Sequence, residues 1–345
     1  MTRFGTLIPA IVLLAACGSG NSGGGASSSQ IKIVGSSTVY PFTTAVAEGF
    51  QRDNPGTSVI VESTGTGAGI KLFCAAVGGT SPDMVNASRP IKKSEYDACV
   101  KNGAKTIIEV PIGIDGLTFI QNKDAVPLNL TVKDIYMALA ANPFGKPNTA
   151  KTWRDVNPAL PAQKIHVMGP PPTSGTRDSL ADLILAKGCE TDPAMKALKT
   201  SDEKKQKDIC TKIREDGAYV EAGENDNLLV QKVAVDKDTL GVLGFSYLDE
   251  NADKVKAVSL AGVSPSEETI ANLSYPGSRK LYVYLKGEHL AVKPKIKGFI
   301  AAYAKMWGKN GLLEKRGLVP FAGPDAEAAT AQAAALTPLD AATVK

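Results

Sequence analysis

Apolar strand-like segments and helical segments alternate along this chain, and a short run of small residues joins each strand to the next helix. The first unit runs from residues 31–34 through Gly35-Ser36-Ser37-Thr38 into a segment with apolar residues at helical spacing. Similar units begin near residues 58, 83 and 165. Repeated units of this kind are typical of α/β proteins with largely parallel sheets. Ligands bind such sheets at the carboxyl ends of the strands, so the joining loops indicate where function resides.

Length and charge narrow the class of protein. A chain of 345 residues corresponds to about two domains. Lys and Arg total 39 and Asp and Glu total 35, a net charge of +4 that is spread evenly, so nucleic acid is not an expected partner. The chain has two histidines, His166 and His289, which excludes a histidine-rich metal site. We predict no metal site and no cofactor.

The N-terminal segment is typical of an exported lipoprotein. Arg3 precedes an apolar run over residues 7–16 that is too short to span a membrane as a mature helix. The run ends in Leu14-Ala15-Ala16-Cys17, which resembles a bacterial lipobox, and residues 18–30 have the Gly/Ser-rich composition of a flexible linker. We expect a signal peptide over residues 1–17, a lipid on its final cysteine, and a periplasmic body anchored by lipid to the inner or outer membrane. A plain secretory signal is the alternative.

Four further cysteines make an even count in an exported chain, which predicts two disulfides. Three pairings are available, and we favour the local pairs Cys74–Cys99 and Cys189–Cys210. Each closes a loop of about 20 to 25 residues, which stabilises the fold by about 3 kcal/mol in the chain-entropy account. Zinc is disfavoured because the chain has no CxxC pair and no histidine near these cysteines.

Four loops that follow predicted strands are small and hydroxylic or end in arginine. They are loop A, Gly35-Ser36-Ser37-Thr38; loop B, Gly65-Thr66-Gly67-Ala68-Gly69; loop C, Ala87-Ser88-Arg89; and loop D, Thr173-Ser174-Gly175-Thr176-Arg177. Glycine lets backbone N–H groups approach a ligand, hydroxyls add donors, and a helix N-terminus adds partial positive charge. Arginine presents a fork of donors that suits a tetrahedral oxyanion. Any one loop alone would indicate an ordinary helix cap, but together they predict a site for a phosphate-like anion.

In this order the loops resemble those of the PstS-type periplasmic phosphate-binding proteins, the substrate-binding lipoproteins of bacterial phosphate ABC transporters. The motifs that carry the resemblance are Gly35-Ser36-Ser37-Thr38-Val39-Tyr40-Pro41, Ala87-Ser88-Arg89-Pro90, Thr173-Ser174-Gly175-Thr176-Arg177-Asp178, Leu243-Gly244-Phe245-Ser246-Tyr247, Tyr275-Pro276 with Arg279-Lys280-Leu281-Tyr282-Val283-Tyr284, and Gly317-Leu318-Val319-Pro320. The resemblance covers roughly residues 31–322.

The resemblance implies a fold and a division of the chain. The implied fold is α/β: a two-lobed periplasmic-binding-protein fold of type II, in which each lobe is a mixed sheet flanked by helices. Two crossing strands join the lobes, and the ligand binds in the cleft between them. Lobe 1 is expected at residues 31–113 and 255–345, and lobe 2 at residues 114–254.

The resemblance also assigns residues to the anion. Ser37 and Thr38 match the family's first anion loop, Thr66 matches the second, and loop D matches the third. The expected phosphate-binding residues are Ser37, Thr38, Thr66, Ser88, Arg89, Ser174, Gly175, Thr176 and Arg177.

Two departures from the family concern charge. Many members have an aspartate where this chain has Arg89, and that aspartate accepts the proton of hydrogen phosphate. Those members also have an arginine shortly before loop D, where this chain has Pro170. We therefore expect Arg89 and Arg177 to supply the cation, with surface or capping roles as the alternative. The candidates for the proton acceptor, in falling order, are Asp178, Asp115 and Asp226.

The expected function is high-affinity binding of inorganic phosphate outside the cytoplasm and its delivery to the permease subunits of an ABC transporter. We expect a monomer without catalytic activity, because the sequence supplies donors and cations but no evident pair of nucleophile and base. Two alternatives stay open: an exported phosphatase on the same scaffold, and a surface lipoprotein that senses phosphate or assists secretion.

Overall fold

The computed structural model describes Met1, residues 30–223 and residues 225–344. The expected signal peptide after its first residue, the lipidated Cys17 and the linker up to residue 29 lie outside the described residues. Within the described ranges, no helix combines the length and the apolar character needed to cross a membrane.

The described residues form eleven strands and fifteen α-helices. The strands are β1 (Gln30–Gly35), β2 (Ser58–Ser63), β3 (Met84–Ala87), β4 (Ile107–Asn122), β5 (Asn129–Leu130), β6 (Val167–Gly169), β7 (Tyr219–Glu221), β8 (Leu240–Gly244), β9 (Val255–Ala257), β10 (Ser259–Leu260) and β11 (Ser278–Lys286). The helices are α1 (Tyr40–Asp53), α2 (Thr66–Phe73), α3 (Lys93–Lys101), α4 (Val132–Leu139), α5 (Trp153–Val156), α6 (Gly175–Ser179), α7 (Ala186–Cys189), α8 (Pro193–Ser201), α9 (Glu203–Thr211), α10 (Asp226–Val235), α11 (Phe245–Glu250), α12 (Glu267–Ala271), α13 (Gly287–Val292), α14 (Lys295–Met306) and α15 (Gly323–Ala335). A π-helical turn, Leu180–Leu185, makes α6 and α7 one continuous helix over residues 175–189, and short 3-10 turns lie at Pro143–Gly145, Glu314–Arg316 and Ala341–Thr343.

The main sheet runs β2-β1-β3-β11-β4-β8-β6-β7, and β9 also pairs with β4. In lobe 1, β1 lies between β2 and β3, parallel to both, while β11 is antiparallel to β3. In lobe 2, β6 lies between β7 and β8, again parallel to both, while β4 is antiparallel to β8. The expected α/β fold with a mixed sheet in each lobe is confirmed.

β4 crosses from lobe 1 to lobe 2. The sequence predicts two separate strands at 107–111 and 116–121, but the structure has one strand of 16 residues. Its first half pairs with β11, and its second half pairs with β8 and β9. Gly113 lies between the halves, where a Cβ atom would stand 2.6 Å from the Leu318 side chain. In the sequence, Gly113 suggests a turn between two strands. In the structure, the missing side chain instead allows the continuous strand β4 to pack closely where it crosses between the lobes.

The return crossing lies later in the chain than the expected residue 255. β9 pairs with β4 at residues 120–122, and Ile270 and Tyr275 are buried in the main core of lobe 2. Residues 255–277 therefore pack with lobe 2, because their apolar side chains complete that core. β11 then carries the chain back, antiparallel to β4 along its whole length.

Both disulfides favoured from the sequence are present. Cys74–Cys99 joins the end of α2 to α3, and Cys189–Cys210 joins α7 to α9. Their Cα atoms are 4.1 and 5.4 Å apart, respectively. Each bridge thus fastens helices within one lobe.

Candidate functional site

Loops A, B and C lie together at the carboxyl edge of the lobe 1 sheet, because the strands that precede them are parallel neighbours. Gly35 makes this convergence possible. It has φ +127°, and a Cβ atom there would lie 2.2 Å from the carbonyl oxygen of Asn86 in β3. Its own carbonyl accepts hydrogen bonds of 2.9 Å from the N–H groups of Thr64 and Gly65. The backbone thus ties loop A both to β3 and to the start of loop B.

Thr66 and Ser88 connect loop B to loop C. Their hydroxyl oxygens are 3.0 Å apart, and the backbone N–H of Ser88 donates to Thr66 Oγ1 at 3.1 Å. Thr66 is the first residue of α2, so its side chain lies at the N-terminus of that helix. Two predicted site residues from separate segments therefore share one hydrogen-bonded cluster.

Loop D approaches loop A from lobe 2. The Thr38 hydroxyl donates to the carbonyl oxygen of Gly175 at 3.0 Å. A Cβ atom at Gly175 would lie 2.5 Å from the Cα of Thr38, so glycine is required for this approach. Ser174 caps the helix over residues 175–189 by accepting from the N–H of Thr176 at 3.2 Å. The first turn of that helix therefore faces loop A, with its partial positive charge directed toward it.

Asp178 and Asp115 also lie where the lobes meet. The Ser37 hydroxyl donates to the Asp178 carboxylate across the lobes. Burial raises the pKa of Asp178, an effect opposed by the Ser37 hydrogen bond and reinforced by the nearby Asp182. Asp115, in β4, accepts from the Ser179 hydroxyl at 2.6 Å. The third acceptor candidate, Asp226, is the first residue of α10.

The guanidinium of Arg89, one of the two predicted cations, forms an ion pair with a carboxylate. Its two terminal nitrogens donate to Glu95 at 2.9 and 2.8 Å, and one also donates to the carbonyl of Pro90 at 3.0 Å. Burial alone would raise the pKa of Glu95, but hydrogen bonds from Arg89 and from the Lys92 backbone hold it below its ordinary value. Arg89 remains close to loop B, since its Nη2 lies 3.9 Å from where a Cβ on Gly67 would stand.

The side chain of Arg177, the other predicted cation, packs against β7 in lobe 2. Its guanidinium carbon lies 4.4 Å from the centre of the Tyr219 ring, a cation–π contact. Nη1 donates to the carbonyl of Pro170 at 3.2 Å and lies 3.9 Å from Glu221 Oε1. These contacts stay within lobe 2.

Arg279, to which sequence reasoning assigned no role, lies at the junction of the two lobes. It donates to Asp115 at 3.1 Å, to Ser179 at 2.7 Å and to Thr38 at 3.0 Å. A weaker contact of 3.4 Å reaches Asp182, and the side chain is only 9% exposed. The motif beginning at Tyr275-Pro276 contained this arginine, but only the pairing of Arg279 with Asp115 between β11 and β4 reveals its position.

The arrangement is suited to holding an oxyanion. The Thr38 hydroxyl of loop A meets the first residue of a capped helix, Arg279 donates to the same hydroxyl, and Thr66 and Ser88 form a second hydroxyl pair at the same edge of the lobe 1 sheet. Both histidines have partners outside the four loops: His166 Nδ1 is 2.7 Å from the Thr239 hydroxyl, and His289 Nδ1 is 2.6 Å from Asp83. Hydrogen-bond donors from separate segments converge here, which is the chemistry of anion recognition.

The sequence is similar to known families. A family profile described as a PBP superfamily domain matches residues 20–304. Protein SphX of Synechococcus elongatus is 35% identical over 305 residues, which cover 86% of this chain and 79% of that protein. The phosphate-binding protein PstS of Staphylococcus saprophyticus is 31% identical over 311 residues, which cover 88% of this chain and 85% of that protein.

Solved structures show the same architecture. The crystal structure of a possible phosphate binding protein from Planctomyces limnophilus has a TM-score of 0.68 and 28% identity, covering 88% of this chain and 98% of that one. The crystal structure of an ABC-type phosphate transport receptor from Vibrio cholerae has a TM-score of 0.58, covering 84% of this chain and 100% of that one. At 22% identity the second likeness shows the fold alone.

Proposed function

The chain belongs to the PBP superfamily, together with the PstS and SphX proteins, and from this membership we propose that it binds inorganic phosphate outside the cytoplasm and delivers it to the permease subunits of an ABC transporter. The observation that carries the proposal is the contact of loop A with loop D, where the Thr38 hydroxyl meets Gly175 between the lobes. A binding site divided between two lobes can close on a small ligand and reopen to release it.

Phosphate would bind by exchange of hydrogen bonds. The Thr38 hydroxyl, which donates to a carbonyl of the other lobe, would donate instead to a phosphate oxygen. The helix that begins at Gly175 brings its N-terminal partial positive charge to the same region, and the Thr176 N–H, which donates to Ser174 Oγ at 3.2 Å, would donate to the anion instead. The residues proposed to contact phosphate are Ser37, Thr38, Thr66, Ser88, Arg89, Ser174, Gly175, Thr176 and Arg177.

A carboxylate in the site would distinguish phosphate from sulfate. Asp178 is our first candidate, because it accepts from Ser37 of the opposite lobe and is half-buried. A carboxylate there can accept the proton that hydrogen phosphate carries and that sulfate lacks. Asp115 is the second candidate, although Ser179 and Arg279 already donate to it.

We propose that Cys17 carries the lipid anchor and that the linker to residue 30 holds a monomer at the inner or outer membrane. The motif ending in Cys17 and the Gly/Ser-rich residues after it support this placement. The protein would act by binding without catalysis, since its relatives include phosphate-binding proteins by name.

Calorimetry with phosphate, sulfate and arsenate at pH 6 and pH 8 tests the proposal. We expect a phosphate Kd below about 1 μM, equivalent to about −8 kcal/mol, and sulfate binding at least about 100-fold weaker. An affinity for phosphate that follows its protonation state would support the carboxylate acceptor. Absence of heat with phosphate at about 100 μM protein, together with an unchanged melting temperature, would contradict phosphate binding.

A further inference from the structure

We infer that Arg279 is the cation of the anion site and stands in for the arginine that PstS-type proteins carry where this chain has Pro170. This inference rests on the proposed function and names the charged group that the function requires. It differs from the sequence prediction, which gave this role to Arg89 and Arg177: these two arginines would contact phosphate only after leaving their present partners, and would contribute less than Arg279.

The position of Arg279 favours the inference. One terminal nitrogen, Nη2, donates to both Thr38 of loop A and Ser179 of the helix that follows loop D. The same guanidinium thus touches both lobes at the point where loops A and D meet. An anion that displaced Gly175 as the partner of the Thr38 hydroxyl would lie beside this guanidinium, because both groups already share the Thr38 oxygen.

Burial makes the charge effective. The Arg279 side chain is 9% exposed, so little water screens its attraction for an anion. Asp115 holds the guanidinium through Nε at 3.1 Å, which leaves the terminal nitrogens directed toward loop A and the helix over residues 175–189. The pairing of Arg279 with Asp115 in adjacent strands fixes this orientation. A rigid fork of donors loses little entropy when it meets a tetrahedral oxyanion.

The other two arginines are committed elsewhere. Both terminal nitrogens of Arg89 bond Glu95, whereas Arg279 is paired with carboxylates through Nε and Nη1 and keeps Nη2 on the hydroxyls of Thr38 and Ser179. Arg177 lies over the Tyr219 ring and bonds the carbonyl of Pro170. Either would have to give up these contacts before it could meet a ligand between loops A and D, whereas Arg279 already bonds Thr38.

Titration calorimetry with phosphate on purified protein freed of bound anion tests the inference. Arg279→Met should raise the phosphate Kd about 10- to 100-fold, the range for losing a hydrogen bond to a charged group. Arg279→Lys, which keeps the charge and loses the fork, should raise it about 3- to 10-fold. The affinity of the wild-type protein should fall as NaCl rises, and that of Arg279→Met should fall less.

Arg214→Met is the matched control. Arg214 is 4% exposed, and it bonds Asp216 and the carbonyls of Ala138 and Ala150 within lobe 2. Its loss should lower the melting temperature and leave the phosphate Kd within about 3-fold of wild type, because a buried arginine outside the cleft affects only the fold. Arg89→Met and Arg177→Met should each weaken binding less than Arg279→Met.

The possible results distinguish failure of the role inferred for Arg279 from failure of the proposed phosphate binding. If the wild-type protein binds phosphate and the Kd of Arg279→Met lies within about 3-fold of the wild-type Kd, the inference is overturned and the proposed function stands. The same holds if Arg89→Met or Arg177→Met loses more phosphate affinity than Arg279→Met does. If Arg279→Met does not fold, Arg279→Lys decides, and an unchanged Kd in that variant overturns the inference. A wild-type protein that does not bind phosphate overturns both.

Discussion

Two polar clusters lie at opposite ends of the strands of lobe 1. The basal cluster, composed of Asp83, His289, Lys286 and Lys293, is at the amino end of β3. The cleft cluster, composed of the hydroxyls of loops A, B and C, is at the carboxyl end. Asp83 is wholly buried and accepts from the backbone N–H of Lys32 at 2.8 Å, from Lys293 at 2.9 Å and from His289 at 2.6 Å.

The two clusters differ in which lobe supplies their hydrogen-bond partners. Every group that bonds Asp83 belongs to lobe 1, so the basal cluster is satisfied in one rigid unit. In the cleft cluster, by contrast, Ser37 and Thr38 bond Asp178 and Gly175 of lobe 2. Movement between the lobes breaks only the second kind of contact. The contacts of Asp83 within one lobe thus support the fold, whereas the contacts that Ser37 and Thr38 make between the lobes can be exchanged for a ligand.

The largest effect is expected at the basal cluster. Asp83→Asn leaves Lys293 buried without its counter-charge and should lower the free energy of unfolding by about 3–5 kcal/mol. Urea unfolding measures this loss. A decrease below about 1 kcal/mol would show that the basal cluster does not support lobe 1.

Acid unfolding tests the same carboxylate. Burial alone would raise the pKa of Asp83, but hydrogen bonds from His289, Lys32 and Lys293 hold it below its ordinary value. The folded-state pKa is depressed, so the stabilisation is present above the unfolded pKa of about 3.9 and is lost as the pH falls through the folded pKa. The wild-type protein should therefore lose stability below about pH 4 more steeply than Asp83→Asn.

Two threonines five positions apart provide the next comparison. Thr38→Val removes a hydroxyl that bonds the other lobe and should raise the phosphate Kd about 10-fold or more. Thr43→Val removes one that is 2.9 Å from Asn86 Oδ1 and 3.1 Å from the Tyr303 hydroxyl, all within lobe 1. It should cost about 1–2 kcal/mol of stability and leave the phosphate Kd unchanged. Calorimetry and urea unfolding on both variants measure the two effects, and a reversed pattern would contradict the distinction.

A smaller effect, on selectivity, is expected at Asp178. Asp178→Asn should raise the phosphate Kd about 10-fold and lower the ratio of the sulfate Kd to the phosphate Kd. The reason is that an amide can donate to an anion that has no proton. Burial raises the pKa of Asp178, so its ionised form costs stability in the folded state, and that cost declines as the pH falls below the folded pKa and is gone below the unfolded pKa of about 3.9. Removing the carboxyl should remove this pH dependence. Sulfate titrations that are identical for wild type and variant would exclude Asp178 as the discriminating group.

The smallest effect is expected at an exposed contact between lobes. Lys92 Nζ lies 2.6 Å from Glu203 Oε1 and joins the start of α3 to α9, but both side chains are substantially exposed. Lys92→Ala should therefore change the free energy of unfolding by less than about 1 kcal/mol and the phosphate Kd by less than about 3-fold. A large effect would show that contact between lobes matters even where water screens it.

Local composition was enough to predict the four loops. Loops A to D each combine small residues, hydroxyls and a following helix within a few positions, so their type is visible without the fold. The short disulfides Cys74–Cys99 and Cys189–Cys210 were predictable for the same reason. Features of this kind depend on residues that are near in sequence.

What the sequence did not reveal depends on strand register. Arg279 and Asp115 are 164 positions apart, and only the antiparallel pairing of β11 with β4 places them side by side. The continuity of β4 and the late return to lobe 1 are likewise properties of pairing between distant strands. Propensity and periodicity describe single segments and carry no information about which segments become neighbours.

A crystal structure with bound phosphate tests the central claim most directly. We predict one phosphate between the lobes, with oxygens within about 3.2 Å of the Thr38 hydroxyl and of N–H groups at the start of the helix over residues 175–189. Phosphate bound elsewhere, with the Thr38 hydroxyl still donating to Gly175, would contradict this location of the site.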